Sequence, residues 1–180
     1  MLNKNKKECF MDYKKICNER YSVRSFSEKK VEEEKVDEML ALARLAPTAM
    51  NGQPYEIFVA RTDEAIEKVK SGSMNIFGST TVFIICKDLN KSWKNRSTGE
   101  EEVLQDIGII TTTLMYAAVE EGLGATYVCA FDPDKIKKAF GMPENLVPES
   151  LLPVGYAAEN AAPSPRHVER RPITEFVHKV

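Results

Sequence analysis

The chain has 180 residues and a mass of 20.3 kDa, with 25 Lys and Arg against 27 Asp and Glu for a formal charge of −2. That length predicts a single domain over residues 1–180 with a core of its own, and the 43% apolar and 29% charged composition excludes collagen-like, mostly disordered and disulfide-dense classes. The balanced charge removes bulk attraction to nucleic acid or an anionic membrane as a default role and leaves only a local basic site open.

Taken in chain order, Lys7 to Glu19 places Phe10, Tyr13 and Ile16–Cys17 at helical spacing. A loop carrying Arg20-Tyr21-Ser22-Val23-Arg24 follows. Glu32 to Ala46 predicts a helix with Val36, Met39, Leu40 and Ala43 on one stripe, ended by Pro47. Tyr55 to Ala60 reads as a strand and Asp63 to Lys70 as a short helix with an acidic first turn. Thr81 to Lys87 is a nearly continuous apolar, β-branched run, expected to be an interior strand buried on both faces. A polar segment, Asp88 to Gly99, carries the one tryptophan, Trp93. Glu100 to Glu121 predicts the longest helix, apolar nearly all round between Ile107 and Ala118, and therefore central or at an interface. Ala125 to Ala130 reads as a strand, Asp132-Pro133 as the cap and first residue of a helix through Phe140, and Leu151 to Ala158 as a last strand broken by Pro153 and Gly155. By pattern alone the fold is α+β or α/β around one sheet.

No apolar run approaches the roughly 18–20 residues that cross a bilayer, and the polar start of the chain is not followed by a signal-type apolar stretch, so a cytoplasmic protein is expected. Cys9, Cys17, Cys86 and Cys129 form no C-x-x-C pair and have apolar neighbours, which predicts buried, reduced thiols. With His167 and His178 as the only histidines, no metal site is expected.

Five constellations stand out. In extended backbone, Arg20-x-Ser22-x-Arg24 would turn two guanidiniums and a hydroxyl to one side, a set suited to a phosphate; a solvated basic turn after a helix reads equally from the spacing. Pro47-Thr48-Ala49-Met50-Asn51-Gly52-Gln53-Pro54 offers amide donors and acceptors that suit a heteroaromatic ring edge, or is an ordinary helix-to-strand connection. Leu123-Gly124-Ala125-Thr126 permits close approach at a helix-to-strand turn. Upstream of it, Asp106 and Gly108 are unusual in so apolar a helix, because a buried carboxylate needs partners; helix packing and an interhelical hydrogen bond explain them as well as catalysis does. Leu152-Pro153-Val154-Gly155-Tyr156 exposes backbone groups, and Arg166 with Arg170-Arg171 concentrates charge in the tail.

Their order is informative. Arg-x-Ser-x-Arg, then Ala-Pro-Thr-Ala-x-Asn-x-Gln-Pro-Tyr, Asp-x-Gly in a long helix, Gly-Leu-Gly-Ala-Thr-Tyr, Leu-Pro-Val-Gly-Tyr and Arg-Arg-Pro-Ile together resemble the nitroreductase family of flavoproteins, from about Arg20 to the C-terminus. The resemblance implies an α+β fold with a mixed, largely antiparallel central sheet flanked by helices, in an intertwined homodimer with FMN at the subunit interface. It implies that Arg20, Ser22 and Arg24 hold the FMN phosphate and ribityl end, helped by Arg170 or Arg171. It further implies that Pro47, Thr48, Asn51 and Gln53 of the other subunit meet the isoalloxazine ring. Pro153, Val154 and Gly155 would line its other side through backbone, and the long helix, through Asp106 and Leu114, would pack in the dimer interface.

The implied activity is hydride transfer from NADH or NADPH through FMN to a nitroaromatic, quinone or similar acceptor, by a ping-pong cycle, with no side chain nominated as catalytic acid, base or metal ligand. Asp88 to Gly99 would cover the substrate, with Trp93 near the open ring face. Tyr55 and Tyr127 stand where the family often has tryptophan. A relative with another flavin reaction and a flavin-binding or redox-sensing module with little turnover are the alternatives.

Overall fold

The computed structural model describes residues 12–180; Cys9 and Phe10 of the first expected helix lie outside the described residues. Five helices and four strands follow in the order α1 (Tyr13–Glu19), α2 (Glu33–Ala43), β1 (Tyr55–Ala60), α3 (Asp63–Gly72), β2 (Thr81–Asp88), α4 (Val103–Glu120), β3 (Gly124–Ala125), α5 (Pro133–Phe140) and β4 (Leu146–Gly155). The sheet order is β1-β2-β4-β3 with every strand pair antiparallel, and an isolated bridge from Ser22 to Ala125 adds a parallel contact at the β3 edge. The fold is therefore α+β, with a largely antiparallel sheet.

Strand β2 is buried on both faces because its alternate side chains feed two cores. Phe83 and Ile85 point into one core with Met39 of α2, Ile107, Ile110 and Leu114 of α4, and Leu152 of β4. Val82, Ile84 and Cys86 point into the other with Val69 of α3, Ile136 of α5 and Leu151 of β4. Each fully buried aliphatic or aromatic side chain contributes about 1.5–3 kcal/mol. The sheet is thus the middle of three layers, with α2 and α4 on one side and α3 and α5 on the other. Burial pushes the Cys86 thiol up to about 12. Cys17 and Cys129, by contrast, are exposed free thiols, which corrects the expectation of burial: apolar neighbours in sequence do not set which way a side chain faces.

Two strands differ from their sequence reading. Strand β4 starts at Leu146, with both Pro148 and Pro153 inside it. Pro148 sits where the pairing with β2 shifts register, opposite Cys86 while Ser150 opposes Ile85. The Pro153 carbonyl accepts from Thr126 N (3.1 Å), so its missing N–H would also have pointed to the β3 side and the β2 ladder loses nothing. Conversely, β3 stops at Ala125, and only Val128 regains the sheet, through a bridge to Leu151. Helix α5 forms as its cap predicts, Asp132 accepting from Lys135 N at 3.0 Å with Pro133 in the first turn.

One surface cluster ties the start of α2 to the end of the sheet. Tyr156 donates its hydroxyl to Glu32 (2.7 Å), Lys29 pairs with Glu32 at 3.3 Å, and the Lys29 ammonium lies 3.7 Å from the Tyr156 ring centre. The Tyr156 hydroxyl, with Lys29, lowers the Glu32 pKa from 4.5 to about 2. A carboxyl depressed on folding adds stability that is present above its unfolded value and is lost as pH falls through the folded one. The Y156F protein should therefore be less stable than wild type above pH 4.5, the difference shrinking to nothing towards pH 2. Unfolding midpoints across that range check it; a constant difference would contradict it.

Among the described residues no helix is long and apolar enough to cross a membrane, and no group of three or more His, Cys, Asp or Glu side chains is placed to hold a metal ion.

Candidate active site

The segment after α1 runs extended, so its side chains alternate. Val23 is 1% exposed and packs inward, while Ser22 and Arg24 turn to the opposite side. Its register is fixed by β3: Val23 N donates to Ala125 O (3.2 Å), and Thr126 Oγ1 donates to Val23 O. The approach is close enough that a Cβ on Gly124 would fall 2.4 Å from Val23 Cγ2. A glycine at the helix-to-strand turn is what lets the Arg-x-Ser-x-Arg segment lie down there.

Arg20, Ser22 and Arg24 line a cavity of about 540 Å³ together with Ser164, Arg166, His167 and Arg170. Four guanidiniums and two hydroxyls thus line one space, with no carboxylate among the described residues of its wall. The chain's near-neutral total hides a strongly basic site, which fits a phosphate monoester. The tail enters through a 3-10 turn, Pro165–His167, where Ser164 Oγ accepts from Arg166 N (3.3 Å), and the His167 ring meets Tyr21 edge-on at 6.3 Å. Of the two tail arginines left open by sequence, Arg170 lines the cavity; Arg171 lies over the Phe176 ring at 5.3 Å instead. Ser164 and His167 carried no pattern in sequence; the signal available was the Ser-Pro-Arg turn beside Arg166.

The second group, Pro47, Thr48, Asn51 and Gln53, occupies the loop between α2 and β1. Thr48 Oγ1 accepts from Gln53 N (3.1 Å), Asn51 N donates to Thr48 O (3.0 Å), and Gln53 Nε2 donates to Asn51 O (3.3 Å). Met50, Asn51 and Gln53 hold φ of 53°, 54° and 47°, a left-handed conformation that costs about 1–3 kcal/mol at a residue such as Met or Gln. Asp106 of α4 braces this loop: its Oδ1 accepts from Ala49 N at 3.0 Å. The partner that a buried carboxylate required is therefore a loop amide, not another helix. Asn51, Gln53 and Met50 are exposed, so the loop presents its side chains outward from a rigid backbone.

Pro47 and Thr48 also line a separate cavity of about 430 Å³, which Trp93 faces. The Trp93 segment is a small hairpin: Lys94 bridges Glu101, Asn95 N donates to Glu100 O (2.9 Å), and Glu102 N donates to Trp93 O (3.2 Å). Pro153, Val154 and Gly155 lie buried in β4, with the Val154 carbonyl accepting from Ser79 Oγ (2.7 Å) and Gly155 packed on Phe26. They line neither cavity. Leu114, expected at an interface, is fully buried within the chain; the open face of α4 carries Gln105, Gly108, Ile109, Thr112 and Tyr116.

Arginine and serine side chains brought to one cavity beside a layered α+β sheet have the chemistry that suits the phosphate of a small molecule. Residues 18–77 and 68–156 match the Nitroreductase family model, and the chain belongs to the nitroreductase family. A nitroreductase family protein from Clostridium difficile 630 has the same fold at a TM-score of 0.87 and 34% identity, covering 93% of this chain and 98% of that one. The FMN reductase [NAD(P)H] of Bacillus subtilis is 28% identical over 163 residues, 81% of this chain and 66% of the relative. A protein from Exiguobacterium sibiricum solved in complex with FMN shares the fold at a TM-score of 0.82 with 22% identity, covering 94% and 98% of the two chains.

Proposed function

We propose that this chain is an FMN-dependent NAD(P)H oxidoreductase acting as a homodimer on a small-molecule acceptor such as a nitroaromatic or quinone. The observation that carries the proposal is the cavity in which Arg20, Ser22, Arg24 and Arg170 converge from segments almost 150 residues apart, in a chain of the nitroreductase family. These residues would hold FMN, whose chemistry would be two-electron transfer from NAD(P)H to the acceptor, with the balancing proton coming from solvent.

The chain's own residues hold and orient. Arg20, Arg24 and Arg170 neutralise the phosphate, and Ser22 donates its hydroxyl beside them. Thr48, Asn51 and Gln53 meet the ring edge of the flavin held by the partner subunit, on a loop whose bracing by Asp106 keeps those amides from relaxing to water. Pro153, Val154 and Gly155, buried with carbonyls largely committed within the chain, would support the other side of the site as packed backbone rather than through hydrogen bonds. Donor and acceptor take turns on the remaining open face, and no side chain needs to act as acid, base or metal ligand.

The homodimer accounts for surfaces left bare by one chain. In addition to the open face of α4, Val168, Ile173 and Phe176 of the tail are 82%, 69% and 50% exposed. Steady-state oxidation of NADH and NADPH with a nitroaromatic and a quinone tests the activity, and sedimentation tests the assembly. Turnover by a species of twice the 20.3 kDa chain mass is expected. A yellow protein with no turnover on either acceptor would make it a flavin-binding module, and a fully flavin-loaded monomer would overturn the shared site.

A further inference from the structure

The cavity beneath Trp93 has a chemistry of its own, opposite to that of the arginine site. Its walls include Pro47 and Thr48, the indole of Trp93, the amide of Gln105, and two carboxylates, Glu102 and Asp106; among the described residues that line it none is basic. Asp106 is 4% exposed, and although Oδ1 accepts from Ala49 N, its buried Oδ2 has no hydrogen-bond partner. A buried carboxylate oxygen left without a donor is costly, and native structures supply one from protein, water or ligand. Glu102 is oriented rather than neutralised: Asn95 Nδ2 donates to its Oε1 at 3.3 Å and Gln105 Nε2 to its Oε2, both from uncharged amides. An indole and two carboxylates that line one space of about 430 Å³ suit a single aromatic ring bearing a positive charge or N–H donors.

We infer that this cavity is the acceptor subsite and that it selects cationic or donor-bearing aromatic compounds while rejecting carboxylates and other anions. The inference rests on the oxidoreductase reading for the word acceptor, since Ala49, held by the same carboxylate, adjoins the ring-contacting Thr48. The charge preference itself follows from the cavity. An anion entering beside Glu102 and Asp106 meets like charge in a partly enclosed site, whereas a cation finds both carboxylates and the indole face.

Trp93 is the only tryptophan, so its emission in the full-length purified protein reports binding directly and independently of turnover. Titration with benzyltrimethylammonium, benzyl alcohol and benzoate should give the cation about tenfold tighter binding than benzoate, with the alcohol between. E102Q, which keeps the shape and the neighbouring amides, should shrink that ratio several-fold; D106N, which can keep the Ala49 bond while turning an N–H into the cavity, should weaken the cation further. Equal affinity for the three compounds, or tighter binding of benzoate, overturns the inference, as does a ratio untouched by E102Q. Steady-state kcat/KM for (4-nitrobenzyl)trimethylammonium against 4-nitrobenzoate should follow the same order. Preferential binding of the cation without reduction of either nitro compound would keep the cavity's selectivity and sink the oxidoreductase reading instead. Turnover of both nitro compounds at equal kcat/KM would do the reverse.

Discussion

Replacing Arg20 and Arg24 together by alanine should all but abolish FMN binding while leaving the fold intact. Hydrogen bonds to a charged group contribute about 1.5–3 kcal/mol each, and every 1.4 kcal/mol is tenfold, so the double variant is expected to lose about 10²–10⁴-fold in affinity. Arg24 is exposed and Arg20 half-buried, and among the described residues neither bridges a carboxylate, so the unfolding midpoint of the flavin-free protein should move little. R171A is the matched control: it removes a guanidinium from the same tail, but one that lies on Phe176 outside the cavity, and FMN affinity should not change. Equilibrium titration of the apo-proteins with FMN reads all of this. Unchanged affinity in the double variant would remove the phosphate site from Arg20 and Arg24; a loss in R171A equal to that in R170A would show that the tail is arranged otherwise.

G124A should cost both stability and cofactor. The new methyl would lie 2.4 Å from Val23 Cγ2 and 3.0 Å from Val23 Cβ, and Val23 cannot yield because it is β-branched and 1% exposed. Overpacking of this kind costs about 1–3 kcal/mol, which in a chain of this size lowers Tm by on the order of 2–4 °C per kcal/mol. Relief by lifting the 22–24 segment off β3 would break the Val23–Ala125 and Thr126–Val23 hydrogen bonds and move Ser22 and Arg24, so FMN affinity should fall as well. Adding V23A to G124A removes the clashing methyls and should recover part of the lost affinity even though V23A alone opens a cavity, a coupling a double-mutant cycle detects. Additive effects of the two substitutions would mean that Gly124 does not set the height of the arginine segment.

Much of this was legible in the sequence, because the site is built from short motifs whose backbone geometry follows from local composition. The strand Tyr55–Ala60 has the ends its pattern predicts, and Asp132-Pro133 caps and opens α5 as read. The Arg-x-Ser-x-Arg trio does share one side of an extended segment and one cavity. What was hidden depends on tertiary placement. Pro148 and Pro153 look like strand breakers until it is known that one sits at a register shift and the other turns its missing N–H away from β2. The 125–130 run has the composition of a strand, but its ladder with β4 ends at Ala125, Thr126 spends its hydroxyl on Val23, and beyond it only Val128 bridges β4 again. The choice between Arg170 and Arg171 could not be made from two adjacent arginines; a 3-10 turn begun by Ser164 decides it. Asp106 could be recognised as needing a partner, but not that one oxygen would be satisfied by Ala49 and the other left buried without a donor in the wall of the Trp93 cavity.

The basic cavity and the braced loop are proposed to hold a working flavin. An absorbance spectrum of the purified protein, followed by anaerobic titration with NADH and then NADPH, is the deciding experiment. The expected result is a flavin spectrum with one FMN released per chain on denaturation, bleached by at least one of the two nucleotides at one equivalent. A colourless protein that takes up no added FMN, or a bound flavin that neither nucleotide reduces, would contradict it.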